Sequence, residues 1–193
     1  MARLAATGGL GGGEGVDEGF RPDRTLAEAD RIAVGDLRLE VLHTPGHFAG
    51  HLSFALGDAV FSGDHVLGWA STLVSPPDGD VAAFMATSQR LRARRSRVFY
   101  PGHGAPVRDP AGRLGWLIAH RRDREAAILG ALDDTPRGAA EITARVYTDT
   151  DPAMLPAAQR NVLAHLVDLV EKKRITAEPS LSSEARFRRR ADG

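Results

Sequence analysis

The sequence contains no cysteine. That excludes a disulfide scaffold, a cysteine-ligated zinc site, an iron–sulfur cluster and thiol catalysis. It has no excess of charge of either sign, since 25 Lys and Arg balance 25 Asp and Glu. Nothing therefore steers the whole molecule toward nucleic acid. No apolar run reaches the ~18 residues that cross a bilayer. The opening stretch, MARLAATGGLGGGEG, lacks the apolar segment of a signal peptide. Those two absences lead to the expectation of a cytoplasmic protein without a membrane partner. What is present is a 42% hydrophobic content over 193 residues, enough for one domain or one domain with a small appendage. There are also seven histidines, and four of them (His43, His47, His51, His65) fall within 23 positions.

Seven of the 21 glycines lie in the first nineteen residues. Such a stretch has few side chains to pack and much backbone entropy to lose, so residues 1–30 read as a flexible segment. Order begins near residue 31. Ile32-Ala33-Val34 and Leu37 to Leu42 read as a hairpin across Gly35-Asp36, with Leu37, Leu39 and Val41 on one face. A second hairpin, Leu52–Leu56 and Ala59–Phe61, turns at Gly57-Asp58. Asp80 opens a helix bearing Val81, Phe84, Met85, Ser88 and Leu91 at helical spacing. Val98-Phe99-Tyr100 reads as a short buried strand, with Tyr100 in the core. Asp109-Pro110 starts a long helix. Further helices are expected over about 138–147 and 156–173, followed by a strand at 175–178. The Arg-rich end beyond Ser180 reads as a solvated tail. Helices followed by strand, turn and strand are the order of a winged-helix unit. The expected division is 31–112 for the first domain and 113–193 for the second.

His47, Asp64 and His103 each follow a strand, and each has glycine beside it. Loops on a rigid scaffold carry ligands and catalytic groups, and two imidazoles with a carboxylate suit zinc, manganese or iron. Spacing alone leaves two readings open: a metal site, or three loop residues exposed to water.

The strings Thr44-Pro45-Gly46-His47 with Gly50-His51, Phe61-Ser62-Gly63-Asp64, and Tyr100-Pro101-Gly102-His103-Gly104 resemble three successive motifs of the metallo-β-lactamase superfamily. The part from His120-Arg121 through Asn161 to Leu166 is similar to the winged-helix extension of its lactamase-β-like subgroup, near the glyoxalase II hydrolases. The resemblance implies an α+β fold, an αββα sandwich followed by a small winged-helix domain. It implies His47 as a ligand of a first metal ion, Asp64 as the catalytic carboxylate bridging two ions, and His103 as a ligand of the second. Two zinc ions per complete site are expected, with manganese or iron as alternatives. In the family a metal-held water ionises near neutral pH and attacks an ester, thioester or phosphodiester, so the expected partner is a small ester or thioester, or RNA.

The sequence also departs from the family. The defining His-x-His-x-Asp-His motif is absent, and no His-x-His occurs anywhere. Three of about seven expected ligands remain. Shortening at the N-terminus is the favoured explanation over degeneration, and partial or no metal occupancy with impaired activity is expected.

Of the other candidates, His51 and His65 are assigned to the substrate pocket, each with a purely structural role as the competing reading. His43, His120 and His165 read as structural, and Trp69 as packed. An alternative function is a non-catalytic nucleic-acid or protein-binding module working through the winged helix. Residues 113–193 carry 14 basic and 12 acidic side chains, too even a balance for a surface that tracks phosphates. The resemblance to the lactamase-β-like subgroup implies instead a winged unit that covers the mouth of the site or mediates homodimerisation.

Overall fold

A computed structural model of the chain describes residues 19–190; the glycine-rich opening, residues 1–18, lies outside them. By packing, the described residues fall into two compact units. One comprises residues 19–72 and 83–118, the other residues 73–82 and 119–190.

The first unit is built on a five-stranded sheet. Its strands are β1 (Arg31–Val34), β2 (Leu37–His43), β3 (Leu52–Leu56), β4 (Ala59–Gly63) and β5 (Val98–Pro101), in that spatial order. The first four strands pair antiparallel, through Gly35-Asp36 and Gly57-Asp58 at the two expected hairpins. Both turn glycines have positive φ, +57° and +60°, which a side chain would resist. β5 then joins β4 in parallel. The link between them contains helix α1 (Val81–Ala93), because parallel neighbours need a crossover.

The register divides the side chains between two faces. On one, Leu42, Ala55, Val60 and Phe99 join Leu91 of α1 and Leu114 and Leu117 of helix α2 (Pro110–Gly130) in a single core. Phe99, Val60, Leu114 and Leu117 are fully buried, and truncating a core phenylalanine of this kind costs about 3–5 kcal/mol. On the other face, Val34 lies opposite Leu37, Ile32 opposite Leu39, Val41 opposite Phe54, Phe54 opposite Phe61, and Phe61 beside Tyr100. Four of these are exposed: Val34, Leu37, Phe61 and Tyr100. The expectation that Tyr100 is a core residue is therefore corrected. Alternation in a strand puts Phe99 inward and turns Tyr100 outward, where its ring stacks on Phe61 with centroids 5.5 Å apart.

The second unit is the helical one. The last turns of α2 supply Ile128 and Leu129, and helices α3 (Ala139–Val146) and α4 (Leu155–Glu171) supply Ile142, Val162, Leu166 and Leu169 to its core. The sheet of this unit has the order β6 (Arg137–Gly138), β8 (Arg186–Arg189), β7 (Ile175–Glu178). The Arg-rich end is thus not a free tail as far as Arg190. Phe187 is fully buried in the core, and its neighbours Arg186 and Arg188 point outward. One apolar residue among arginines is a weak period-two signal, and strand pairing with β7 supplies what the sequence pattern lacks.

Candidate functional site

Strand direction brings three loops to one edge of the sheet. β2 and β4 both run antiparallel to β3, and β5 runs parallel to β4. The C-terminal ends of β2, β4 and β5 therefore lie on the same side, and the segments bearing His47, Asp64 and His103 follow those ends. The carboxyl ends of parallel strands are where open α/β sheets place their ligands.

The His47 loop is held from beneath. Gly46, at φ +139°, passes so close to α1 that a side chain would run into the Phe84 backbone. Thr87 of α1 donates from Oγ1 to the Pro45 carbonyl at 2.8 Å. Thr44 is fully buried and pairs with His51: its backbone N–H donates to the His51 carbonyl at 2.8 Å, and its Oγ1 lies 2.8 Å from His51 Nδ1. The same hydroxyl reaches Ser53 Oγ at 2.9 Å. Thr44 and Ser53 escaped the sequence reading because a buried hydroxyl has no periodic signature. The Thr-Pro-Gly-His string was the available clue.

His51 is itself buried. Burial lowers its pKa to about 4, His47 pushes in the same direction, and the Asp64 carboxylate opposes them. The ring is uncharged at neutral pH. It stands between His47 and His65, with centroids 6.1 Å from each. His65 is fully buried, with Nε2 3.3 Å from Ser88 Oγ and its ring 4.6 Å from that of Phe84.

Asp64 follows β4 at a turn where Gly63 has φ +50°. A Cβ on Gly63 would stand 2.8 Å from His51 Nε2. Thr72 Oγ1 donates to the Asp64 and His65 carbonyls, at 2.9 and 3.0 Å, which fixes the far end of the loop. Arg113 of α2 holds the middle, through Nε to the Leu67 carbonyl (2.7 Å) and a terminal nitrogen to the Ala70 carbonyl (2.6 Å). The loop after β5 meets that after β4 through backbone: Gly102 N–H donates to the Gly63 carbonyl at 3.0 Å. His103 is exposed, and its Nε2 lies 3.7 Å from Asp64 Oδ2. Trp69 is 72% exposed, so the expectation of a packed tryptophan is corrected. It covers Gly104, where a Cβ would come within 2.8 Å of the indole.

Among the described residues, Asp64 Oδ1 is buried and accepts no hydrogen bond, a costly position for a carboxylate oxygen. A cation would satisfy it, and His103 supplies a second donor of suitable chemistry beside it. The neutral His51 adds no charge to repel that cation. Among the described residues, however, no three His, Asp or Glu side chains are gathered tightly enough to hold a metal ion. Asp64 and His103 are brought together, and His47 does not close a cluster with them. The residues fit a divalent ion as part of a ligand set, short of the three or four protein donors of a tight site.

A family model of the metallo-beta-lactamase superfamily matches residues 4–118, and one of the beta-lactamase associated winged helix domain matches residues 139–183. A beta-lactamase-like protein 2 homolog of Drosophila melanogaster is 28% identical over 163 residues, which cover 82% of this chain and 54% of that protein. An atrochrysone carboxyl ACP thioesterase of Claviceps purpurea is 38% identical over 109 residues, 55% of this chain and 34% of that protein. A solved metallo-beta-lactamase family protein of Thermus thermophilus superposes with a TM-score of 0.77 at 29% identity, over 88% of this chain and 55% of its own. The chain spans about half the length of the first of these relatives, or less. With a match over more than half of its length, the three loops at one edge of a mixed sheet and a winged-helix unit after them, the chain belongs to the metallo-beta-lactamase superfamily.

Proposed function

We propose that this chain carries part of the active site of a metal-dependent hydrolase acting on esters or thioesters, with Asp64, His103 and His47 as its protein donors and zinc as the ion. The observation that carries the reading is the buried, unpartnered Oδ1 of Asp64 beside His103. A divalent ion bound there would polarise a substrate carbonyl and lower the pKa of a water. The protein's own part is positional. Gly63 and Gly102 let the two loops approach through backbone, Thr72 and Arg113 fix the loop after Asp64, and Thr44 orients a neutral His51 against it. Trp69 offers an exposed apolar wall next to His103, suited to the acyl or alkyl part of a thioester. The thioesterase name of one relative favours that substrate class. With so few donors the chain itself is proposed to bind metal weakly and to turn over slowly.

A nucleic-acid role for the winged unit has less support. Arg137, Arg186 and Arg188 of its sheet face Asp133, Glu141 and Glu178 at 2.6, 3.4 and 2.9 Å, so their charge is already matched.

Zinc titration by calorimetry, beside hydrolysis of an acyl thioester followed by thiol release, tests the proposal. Weak saturable zinc binding is expected, lost in Asp64→Asn and reduced in His103→Ala. Zinc binding unchanged in both variants would overturn the ligand assignment. Two tightly held zinc ions per chain would overturn the proposed weakness.

A further inference from the structure

Residues 73–82 leave the loop that carries Asp64 and enter the helix that supports the loop of His47. Both ends of the segment are tied to the candidate site, and its middle is gripped by α4. At the first end only Leu73 separates two anchors. Thr72 donates its hydroxyl to the Asp64 and His65 carbonyls, and the Val74 N–H donates to Asn161 Oδ1 at 3.1 Å. Arg160 then donates to Ser75 Oγ at 2.7 Å and to the Pro76 carbonyl at 3.1 Å. The chain next closes a tight turn. The Gly79 N–H donates to the Ser75 carbonyl at 2.7 Å, and a Cβ on Gly79 would stand 2.4 Å from the Ser75 nitrogen. At the other end Val81 opens α1. It is buried, and it lines one narrow cleft with Ala164 and Val167 of α4. From the next turn of α1, Phe84 backs Gly46, Thr87 holds the Pro45 carbonyl at 2.8 Å, and Ser88 Oγ lies 3.3 Å from His65 Nε2.

We infer that α4 of the helical unit is a positioning element for the candidate site. Through Arg160 and Asn161 it holds residues 73–82. By continuity of the chain, that segment holds the Asp64 loop at one end and the α1 support of the His47 loop at the other. A connection of this length without anchors would sample many backbone conformations, and the loop after Asp64 would lose its fixed end. Energetic coupling needs a continuous run of bonded and packed groups. Here the run is Asn161, Val74, Leu73, Thr72 and Asp64. Arg160 and Asn161 act through the segment, as positioning residues and not as ligands. The effect on metal binding rests on the function proposed above, and the restraint on the loops does not.

Hydrogen exchange of the zinc-free protein decides the restraint. The His65 and Gly102 amides are the reporters, because they bond the Ser62 and Gly63 carbonyls beside Asp64. Asn161→Leu should speed the exchange of both by about 2- to 30-fold, the range in which substitutions along a coupled network act. Asn161→Asp keeps the accepting oxygen and should restore the wild-type rates. Ser75→Ala removes the hydroxyl that Arg160 holds and should act in the same direction as Asn161→Leu. Ile142→Val trims the core of the helical unit, which includes none of residues 73–82, and should leave both amides unchanged. Zinc affinity, read by calorimetry, should fall in Asn161→Leu and recover in Asn161→Asp. Unchanged exchange in both Asn161→Leu and Ser75→Ala would overturn the inference. Equal acceleration in Ile142→Val would overturn it too, and would mean a general loosening of the helical unit. Faster exchange with unchanged zinc affinity would overturn the effect on metal binding. A wild type that binds no zinc would overturn the metal reading itself, while the exchange rates still decide the restraint.

Discussion

Gly102 sits so close to Asp64 that a methyl group on its α-carbon would stand 2.7 Å from Oδ1. Real side-chain carbons do not approach an oxygen so closely, and the neighbour is a short, partly buried carboxylate whose loop is tied down by Thr72. Gly102→Ala should therefore displace Asp64 or the β5 loop and destabilise the first unit by about 1–3 kcal/mol, read as a lower midpoint in urea. Gly130→Ala is the matched control. Nothing lies within 4 Å of a Cβ there, and alanine favours a helix over glycine by up to ~1 kcal/mol, so that variant should be neutral or more stable.

The loops that carry His47, Asp64 and His103 could be read from the chain because short local signals define them: Gly-Asp turns, alternating strands and glycines beside each polar residue. The strand positions followed from the same signals, as Leu42, Val60 and Phe99 alternate inward as a half-buried strand requires. Two kinds of feature could not be read. One is the direction a lone aromatic takes when both faces of a strand are apolar. Tyr100 looked like a core residue and faces outward, and Trp69, in the loop after β4, has no strand period to set its direction and is exposed too. The other is long-range polar anchoring. Arg113 reaches Leu67 and Ala70 across more than 40 residues of chain, and no local pattern encodes such a partner. For the same reason the sequence left His51 open between a substrate contact and a structural role, because its burial and its bond to Thr44 are tertiary facts.

Arg113 should prove to be what holds the loop between Asp64 and Thr72 in place. Its two hydrogen bonds to carbonyls and its guanidinium 4.4 Å over the Trp116 ring together fix the loop from α2. Arg113→Ala removes a charged donor from two carbonyls, a loss of about 1.5–3 kcal/mol of local interaction before water replaces it. Hydrogen exchange of residues 66–72 should accelerate, and that of β3 should not change. Uniform acceleration of both would mean that Arg113 supports the whole sheet and not the loop.

Asn161 of α4 gathers two donors on one oxygen. The Val74 N–H reaches Oδ1 at 3.1 Å and a guanidinium nitrogen of Arg121 reaches it at 2.9 Å. Its neighbour Arg160 bonds Ser75 Oγ at 2.7 Å and the Pro76 carbonyl at 3.1 Å. These bonds explain why residues 73–82 pack with the helical unit. Arg121 is almost fully buried, and burial lowers its pKa to about 10, so its charge depends on acceptors such as this one. Asn161→Leu should cost about 1–3 kcal/mol and open the chain near residues 74–76 to limited proteolysis. Asn161→Asp, which keeps the oxygen and adds an opposite charge beside Arg121, should retain resistance to cleavage there. Equal cleavage of the two variants would show that volume, not hydrogen bonding, holds the segment.

His165 should make the protein lose stability in mild acid. It lies in α4, 1% exposed, and neither ring nitrogen has a hydrogen-bond partner among the described residues. Burial lowers its pKa to about 3, and Arg121, Lys172, His120 and Arg124 add to the shift because all repel a second positive charge. In the unfolded chain the ring titrates near the usual ~6.5. Between that value and the folded one, the unfolded state binds a proton that the folded state refuses. Stability from this group is therefore fully present above pH ~6.5 and falls as the pH drops, by at most ~1.4 kcal/mol per unit. Asp168 on the same helix works in the opposite sense, since burial raises its pKa, and His51 adds a parallel loss from the first unit. Wild-type slopes mix all three, so the informative quantity is a difference. His165→Leu keeps the apolar volume and removes the titration, and its urea midpoint should fall less than the wild type's between pH 6.5 and 4. Identical slopes for the two proteins would mean that His165 gains a proton in the fold, and that the cations around it are farther from the ring than its burial implies.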